Sequence, residues 1–303
     1  MKPARFLMIT SSVLGIACCL SGCGGGGGGA GLVSTPTPTP TPTGSYPKIF
    51  PSVTATTDFA TLGVQVNTIP GSSVVTSGFS VRYDAGLGAY VFDLPSIEPA
   101  KFRSDGEIDS FWDATLETVG GGFPGYYMAV FKPSGNEMID LSYTSFAVYH
   151  DYDYDDNAPA GLVAFGMATP PGGVPTTGSA TYGAIVWGLT QDTGFEVQGN
   201  AQLQFDFGAG MLAGEFNPVT WSTTASAVVS LGTYNFTNTI FGVGSTTFSG
   251  DLQHSGIAAL GAFNGLFTGP AAQELMARWN APYVNPDSHQ QGQMTGIWVG
   301  KKP

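Results

Sequence analysis

The sequence predicts an all-β chain, an N-terminal β-rich domain followed by an eight-stranded antiparallel β-barrel. Three observations lead there. Val, Thr, Tyr and Phe recur in short runs that alternate apolar with polar side chains, the period of a half-buried strand. The runs are punctuated by many of the 44 glycines and 21 prolines, which supply turns at short intervals. The only cysteines are Cys18, Cys19 and Cys23, so the 258 residues from 46 to 303 have no disulfide and no thiolate metal site to lean on. A body of that length is held by burial alone, as two modest domains or one large β domain.

The first 45 residues do not belong to that body. Lys2 and Arg5 precede an apolar run from 6 to 20 that Thr10, Ser11 and Ser12 interrupt. The run is short of the ~20 apolar residues a permanent span needs, and it reads as an export signal over 1–22. Leu20, Ser21, Gly22 and Cys23 then resemble the lipobox of bacterial lipoproteins, in which the cysteine is acylated and becomes the first mature residue. Residues 24–29 are all glycine, a flexible joint, and residues 35–43 alternate threonine with four prolines. That alternation favours an extended polyproline-II rod of ~3.1 Å per residue. The segment 23–45 is thus a lipidated Cys23 and a stalk. Acyl chains contribute ~0.8 kcal/mol per buried methylene, and stable attachment takes more than one. Gly24, where aspartate would favour retention at the inner membrane, directs the chain to the outer membrane by the convention of such lipoproteins.

Strands follow in order. Residues 80–84 and 89–93 flank Ala85, Gly86, Leu87 and Gly88 and predict a hairpin. Residues 127–131 and 138–149 continue the strands, while 108–116 carry a short helix prediction. The domain spans 46–165. From 166 to 303, strands are predicted at 180–188, 197–207, 211–216, 225–236, 246–252, 257–267, 278–283 and 294–299, enough to close a small barrel filled by its own side chains. Pro270 opens the best helix candidate, 270–276.

Charge excludes some partners. Without Lys2 and Arg5, eight basic residues face twenty-two acidic ones, a formal charge of −14, and no Lys or Arg occurs between Lys132 and Arg278. Such a surface repels phosphate backbones, so no nucleic acid is expected; basic proteins and cations fit better.

Catalytic patterns are weak. Gly120, Gly122 and Gly125 match G-x-G-x-x-G, but no strand–helix unit surrounds them. His150, His254 and His289 are far apart, no nucleophile motif occurs, and the chain is expected not to be an enzyme. The stretch from His150 to Asn157 is the strongest candidate site. Asp151, Asp153 and Asp155 repeat as the first ligands of a calcium loop do, with Asp156 beside them. An EF-hand is excluded, because Asp156 stands where glycine is needed and Leu162 where a glutamate is needed. A looser calcium site, an acidic surface loop, or a haem ligand in His150 beside Tyr149, Tyr152 and Tyr154 are the alternatives.

The runs TGSATYG at 177–183, FDFG at 205–208, GLFTGPAAQEL at 265–275 and GIWVGK at 296–301 resemble the barrel of transferrin-binding-protein-like surface lipoproteins. RYD at 82–84 and LSYTSF at 141–146 resemble pieces of that family's handle domain. One departure is the segment Met276, Ala277, Arg278 and Trp279, where the family has a glycine pair and an aromatic residue. The resemblance implies an all-β handle and barrel, a lipid-anchored protein of the bacterial outer membrane and cell surface, and binding without chemistry. The ligand it implies is an extracellular protein carrier of iron or haem, passed to an outer-membrane transporter for uptake; a haem or small-ligand binder and a structural or adhesive coat protein are the alternatives.

Overall fold

The computed structural model describes residues 46–67, 73–151, 159–191 and 194–303, and every regular element among them is a strand. The first nine are β1 (Thr57–Asp58), β2 (Ala60–Asn67), β3 (Ser80–Asp84), β4 (Ala89–Leu94), β5 (Ile97–Ile108), β6 (Phe111–Thr118), β7 (Tyr126–Phe131), β8 (Thr144–Asp151) and β9 (Pro159–Gly166). They form one antiparallel sheet in the order β1-β3-β4-β5-β6-β7-β8-β9-β2. Its two edge strands, β1 and β2, are consecutive in the chain and joined through Phe59 alone. The sheet must therefore curl until its edges almost meet, and its concave side fills with Phe50, Phe92, Phe102, Tyr149 and Phe165. Phe59 is buried at the seam, and the Tyr90 hydroxyl accepts the Phe50 amide at 2.8 Å. Burial pushes the Tyr90 phenol up to about 12.

The expected hairpin at 80–93 is present as β3 and β4. The short helix expected over 108–116 is not: those residues end β5, turn, and begin β6. Their apolar spacing serves a strand, with Ala114 and Leu116 facing the core and Phe111 facing the other side. The strand expected from 138 starts only at Thr144, because Leu141 donates to the Pro133 carbonyl and Asp140 caps the Gly135 amide in a closed turn.

The second half contains β10 (Ser179–Thr190), β11 (Glu196–Asp206), β12 (Met211–Ser222), β13 (Ala227–Ser230), β14 (Tyr234–Ile240), β15 (Thr247–His254), β16 (Gly261–Thr268), β17 (Glu274–Val284) and β18 (Gln291–Lys301). Pairing of β11 with β12 closes eight of them into an antiparallel barrel, and β13 adds to β12 beyond it. The single strand expected at 225–236 is broken by a bulge. Val219 pairs with Ser230 and Phe216 with Tyr234, so a three-residue step on β12 faces a four-residue step. Gly232 takes φ 88° there.

The helix expected at 270–276 is also absent. Gly269 at φ 80° and Ala272 at φ 51° make a tight turn, and Glu274 already starts β17. The turn closes one barrel end: Ala272 is fully buried and its carbonyl accepts the Tyr182 hydroxyl at 2.5 Å. Met276 to Trp279 continue β17 without a break, Met276 facing the first sheet and Trp279 the barrel interior. Trp279 fits because Gly188 and Gly296 pair beneath it; a Cβ on either would lie 2.6 Å from the indole ring.

The two sheets pack side against side. Phe111 and Phe146 meet Trp187 with centroids at 5.3 and 5.7 Å, and Leu189, Met276, Ile297 and Val299 join them. A polar clasp lies beside this apolar seam. Glu274 accepts the Ser142 and Tyr143 amides at 2.6 and 3.0 Å, and the Thr144 and Thr268 hydroxyls meet at 2.5 Å.

At the barrel end opposite this clasp, Asp287 binds the β12–β13 turn. It accepts from Ser222 Oγ at 2.6 Å, from Thr223 Oγ1 at 2.6 Å, and from the Thr223 and Thr224 amides. These donors hold its carboxyl well below the usual carboxylate range. The stabilisation is complete above the ordinary aspartate range and is lost only as pH falls to the depressed folded value. Asp287→Ala is expected to speed hydrogen exchange at Thr223 and Thr224 at neutral pH while the global unfolding midpoint stays near wild type; unchanged exchange at both amides would refute the clamp.

Candidate functional site

Strand β8 alternates its side chains between the two faces of the first sheet. Ala147 and Tyr149 enter the concave core, while Phe146 and Val148 turn outward. Tyr149 points at Gly161, directly opposite, where a Cβ would lie 2.4 Å from its hydroxyl oxygen. That hydroxyl donates to Gln65 Oε1 at 2.9 Å, and burial pushes the phenol far up.

His150 follows on the opposite face. It pairs with Tyr127 on β7 and with Ala160 on β9, is only 7% exposed, and its ring lies 4.9 Å from that of Tyr127 at 32°. The imidazole is thus part of the sheet wall. Asp151 closes the strand opposite Tyr126. Asp153, Asp155 and Asp156, with Tyr152, Tyr154 and Asn157, lie outside the described residues, as does Cys23. Among the described residues, no three His, Cys, Asp or Glu side chains gather as a metal site.

A cleft of about 390 Å³ opens beside this strand end, lined by Ile97, Glu98, Thr118, Phe123, Pro124 and Tyr126. Its walls are the β4–β5 turn, with Ser96 at φ 65°, and the glycine-rich β6–β7 loop. Gly121, Gly122 and Gly125 all have positive φ, and Thr118 and Gly122 close the loop through the Thr118 amide. The G-x-G-x-x-G match therefore belongs to a hairpin turn between two strands and not to a phosphate cradle. Phe123 is 51% exposed at the rim. Composition alone gave no cue to this cleft; the signal was a glycine run between two strands, which places an aromatic ring at a loop tip.

A second cleft of about 360 Å³ runs along the junction of the two sheets, between Leu62 on β2 and Ile240, Thr247, Ser249, Asn264 and Leu266 of the barrel. Arg278, bonded to the lining residue Asn264, is committed to structure: its Nε donates to Asn264 Oδ1 at 3.1 Å and its guanidinium to the Thr76 carbonyl. Both clefts are open to solvent, whereas the barrel interior is filled. Phe205 meets Tyr182, Phe207, Phe241, Phe248 and Phe267 within 6 Å, and Trp298 meets Phe216, Phe236 and Phe263 at 6.0, 5.7 and 5.4 Å.

No family model matches the chain, and no curated protein matches it. Solved structures do. A single-residue variant of transferrin-binding protein B from Haemophilus parasuis superposes with a TM-score of 0.50 at 12% identity, covering 80% of this chain and 45% of that one. The isotype 1 protein from serogroup B Neisseria meningitidis gives 0.44 at 13% identity, with 80% and 43% covered. The chain spans about half the length of these structures. The first likeness shows the fold, that of a transferrin-binding protein B lobe.

Proposed function

We propose that this chain is a lipid-anchored binding protein of the bacterial outer membrane that takes an extracellular macromolecule on its outer surface. The observation that carries the reading is the filled barrel. Interlocking aromatic rings occupy the interior where other barrels of this size hold a small ligand, so recognition falls to exposed edges, clefts and loops. The exposed Phe123 and the cleft beside Tyr126 are the surface best suited to it in the first sheet. The lobe fold supports binding without chemistry, and the acidic composition favours a ligand with basic surface. The finer reading is a protein carrier of iron or haem, delivered to an outer-membrane transporter.

The test uses the mature full chain. Cys23→Ser is expected to release the protein from the membrane fraction and to remove the acyl mass from its N-terminal peptide; a membrane-bound Cys23→Ser protein refutes the anchor. Immobilised in detergent, the wild type is expected to give saturable binding to iron-loaded transferrin or to haemoglobin, weakened by Phe123→Ala. No saturable response to either carrier removes the iron-carrier reading.

A further inference from the structure

The β12–β13 hairpin stands beyond the barrel rim. Strand β15 pairs with β14 only as far as His254 opposite Tyr234, so the edge of β13 away from β12 has no neighbouring strand among the described residues. The ladder tells which backbone groups that edge presents. Leu231 donates to the Pro218 carbonyl, so in the alternating antiparallel pattern Leu231, Val229 and Ala227 turn their amides to β12. Val228 and Ser230 turn theirs outward.

Natural edges are blunted by charge, proline, a bulge at the edge or a covering loop. This edge, Ala227, Val228, Val229 and Ser230, has neither charge nor proline, and the bulge between Ser230 and Tyr234 lies past its C-terminal end. Its turn is tied to the barrel by the hydrogen bonds that Asp287 accepts from Ser222 and Thr223. Val228 is 53% exposed and faces Trp221, 36% exposed, across the hairpin, which puts an apolar pair beside the open ladder.

We propose that the outer edge of β13 is a strand-addition site for an extended segment of a partner protein that carries basic residues. Main-chain hydrogen bonds to Val228 and Ser230 would hold the added strand, with a β-branched side chain beside Val228 and Trp221. Charge selects the occupant. Residues 133–277 hold no Lys or Arg, and the carboxylate of Asp287 lies at the hairpin turn. The three basic residues of the barrel strands and C-terminus are engaged elsewhere: Arg278 with Thr76, Lys301 with Asp140 and Lys302 with the Ala271 carbonyl. A second copy of the chain would bring the same acidic surface to the edge, which disfavours self-pairing. The site is separate from the cleft beside Tyr126, so either can fail alone.

The probe is an end-blocked fluorescent heptapeptide alternating lysine and valine, titrated by anisotropy into the mature full chain. Saturable binding is expected, with Val228→Thr, which keeps the amide, close to wild type. Val228→Pro removes one outward amide and no ladder bond to β12, a change edge strands accept, and is expected to weaken binding about tenfold or more. The same peptide N-methylated on alternate residues is expected to bind as weakly to the wild type, a comparison that stands even if Val228→Pro does not fold. Equal binding of the methylated and unmethylated peptides, or of wild type and Val228→Pro, would assign the effect to charge alone and overturn the proposal. So would the absence of saturation, or a wild-type dimer in sedimentation that Val228→Pro dissociates, which would give the edge to a second copy.

Discussion

Trp298→Ala is expected to destabilise the protein by about 3–5 kcal/mol, the range for emptying a large aromatic site in a packed interior. Trp298 is fully buried on the inner face of β18, stacked on Phe236 at 13° and touching Phe216 and Phe263. Phe216 in turn lies 4.8 Å from Trp279, so the truncation opens a void at the centre of a connected ring cluster. Neighbouring rings on separate, hydrogen-bonded strands cannot collapse into it. Trp298→Phe keeps most of the volume and should cost about 1–2 kcal/mol. The check is urea unfolding followed by tryptophan fluorescence and circular dichroism; a loss below about 1 kcal/mol for the alanine variant would mean that this cluster does not hold the barrel.

Glu274→Ala is expected to cost about 2–4 kcal/mol and to loosen the two sheets from each other. The carboxylate is 3% exposed and accepts two backbone amides from the segment before β8. Each donor left dry costs about 1–3 kcal/mol, and Ser142, at the surface, recovers part of that from water. Burial raises the Glu274 carboxyl above its ordinary value, outweighing the Ser142 and Tyr143 amides that favour the ion. A carboxyl raised on folding contributes stability that is full below the ordinary glutamate range and is lost as pH rises through the folded value. The stability gap between wild type and Glu274→Gln should therefore narrow as pH rises from about 4 to about 8. A gap that widens over that range would show that the buried group is favoured as the ion.

Much of the barrel was legible because solvent writes an alternation into its strands. On β11, Ala201, Leu203 and Phe205 face inward and Asn200, Gln202 and Gln204 outward, which is the pattern a half-buried strand prints in any sequence. On β18 the same rule is silent. Seven consecutive residues from Met294 to Gly300 are buried, since one face meets the barrel core and the other the first sheet. An unbroken apolar run signals burial on both sides but not which partner covers it. The false helices at 108–116 and 270–276 have a related origin, since short segments with turns at their ends carry too few residues to separate a period of 3.6 from one of 2.

His150 and Asp151 were singled out by the spacing of an acidic repeat, and in the structure they end β8 beside the cleft without lining it. The cleft itself was not, because Phe123, Tyr126 and Ile97 come from three turns and strands whose proximity is set by the registers of β4 through β7. The clasp is a similar case. Glu274 lay within a recognised motif, yet its amide partners Ser142 and Tyr143 are more than 130 positions away.

By itself the sequence determined the class of this protein, the number of barrel strands and the acidic, cysteine-free character of its body, because periodicity and composition are local or additive properties. Only the tertiary structure decided that the first sheet curls on itself, that the barrel is solid, and that β13 is left with an open edge. Those depend on which strands become neighbours, and hydrogen-bond register between distant segments is a property of pairs that no single stretch of chain contains.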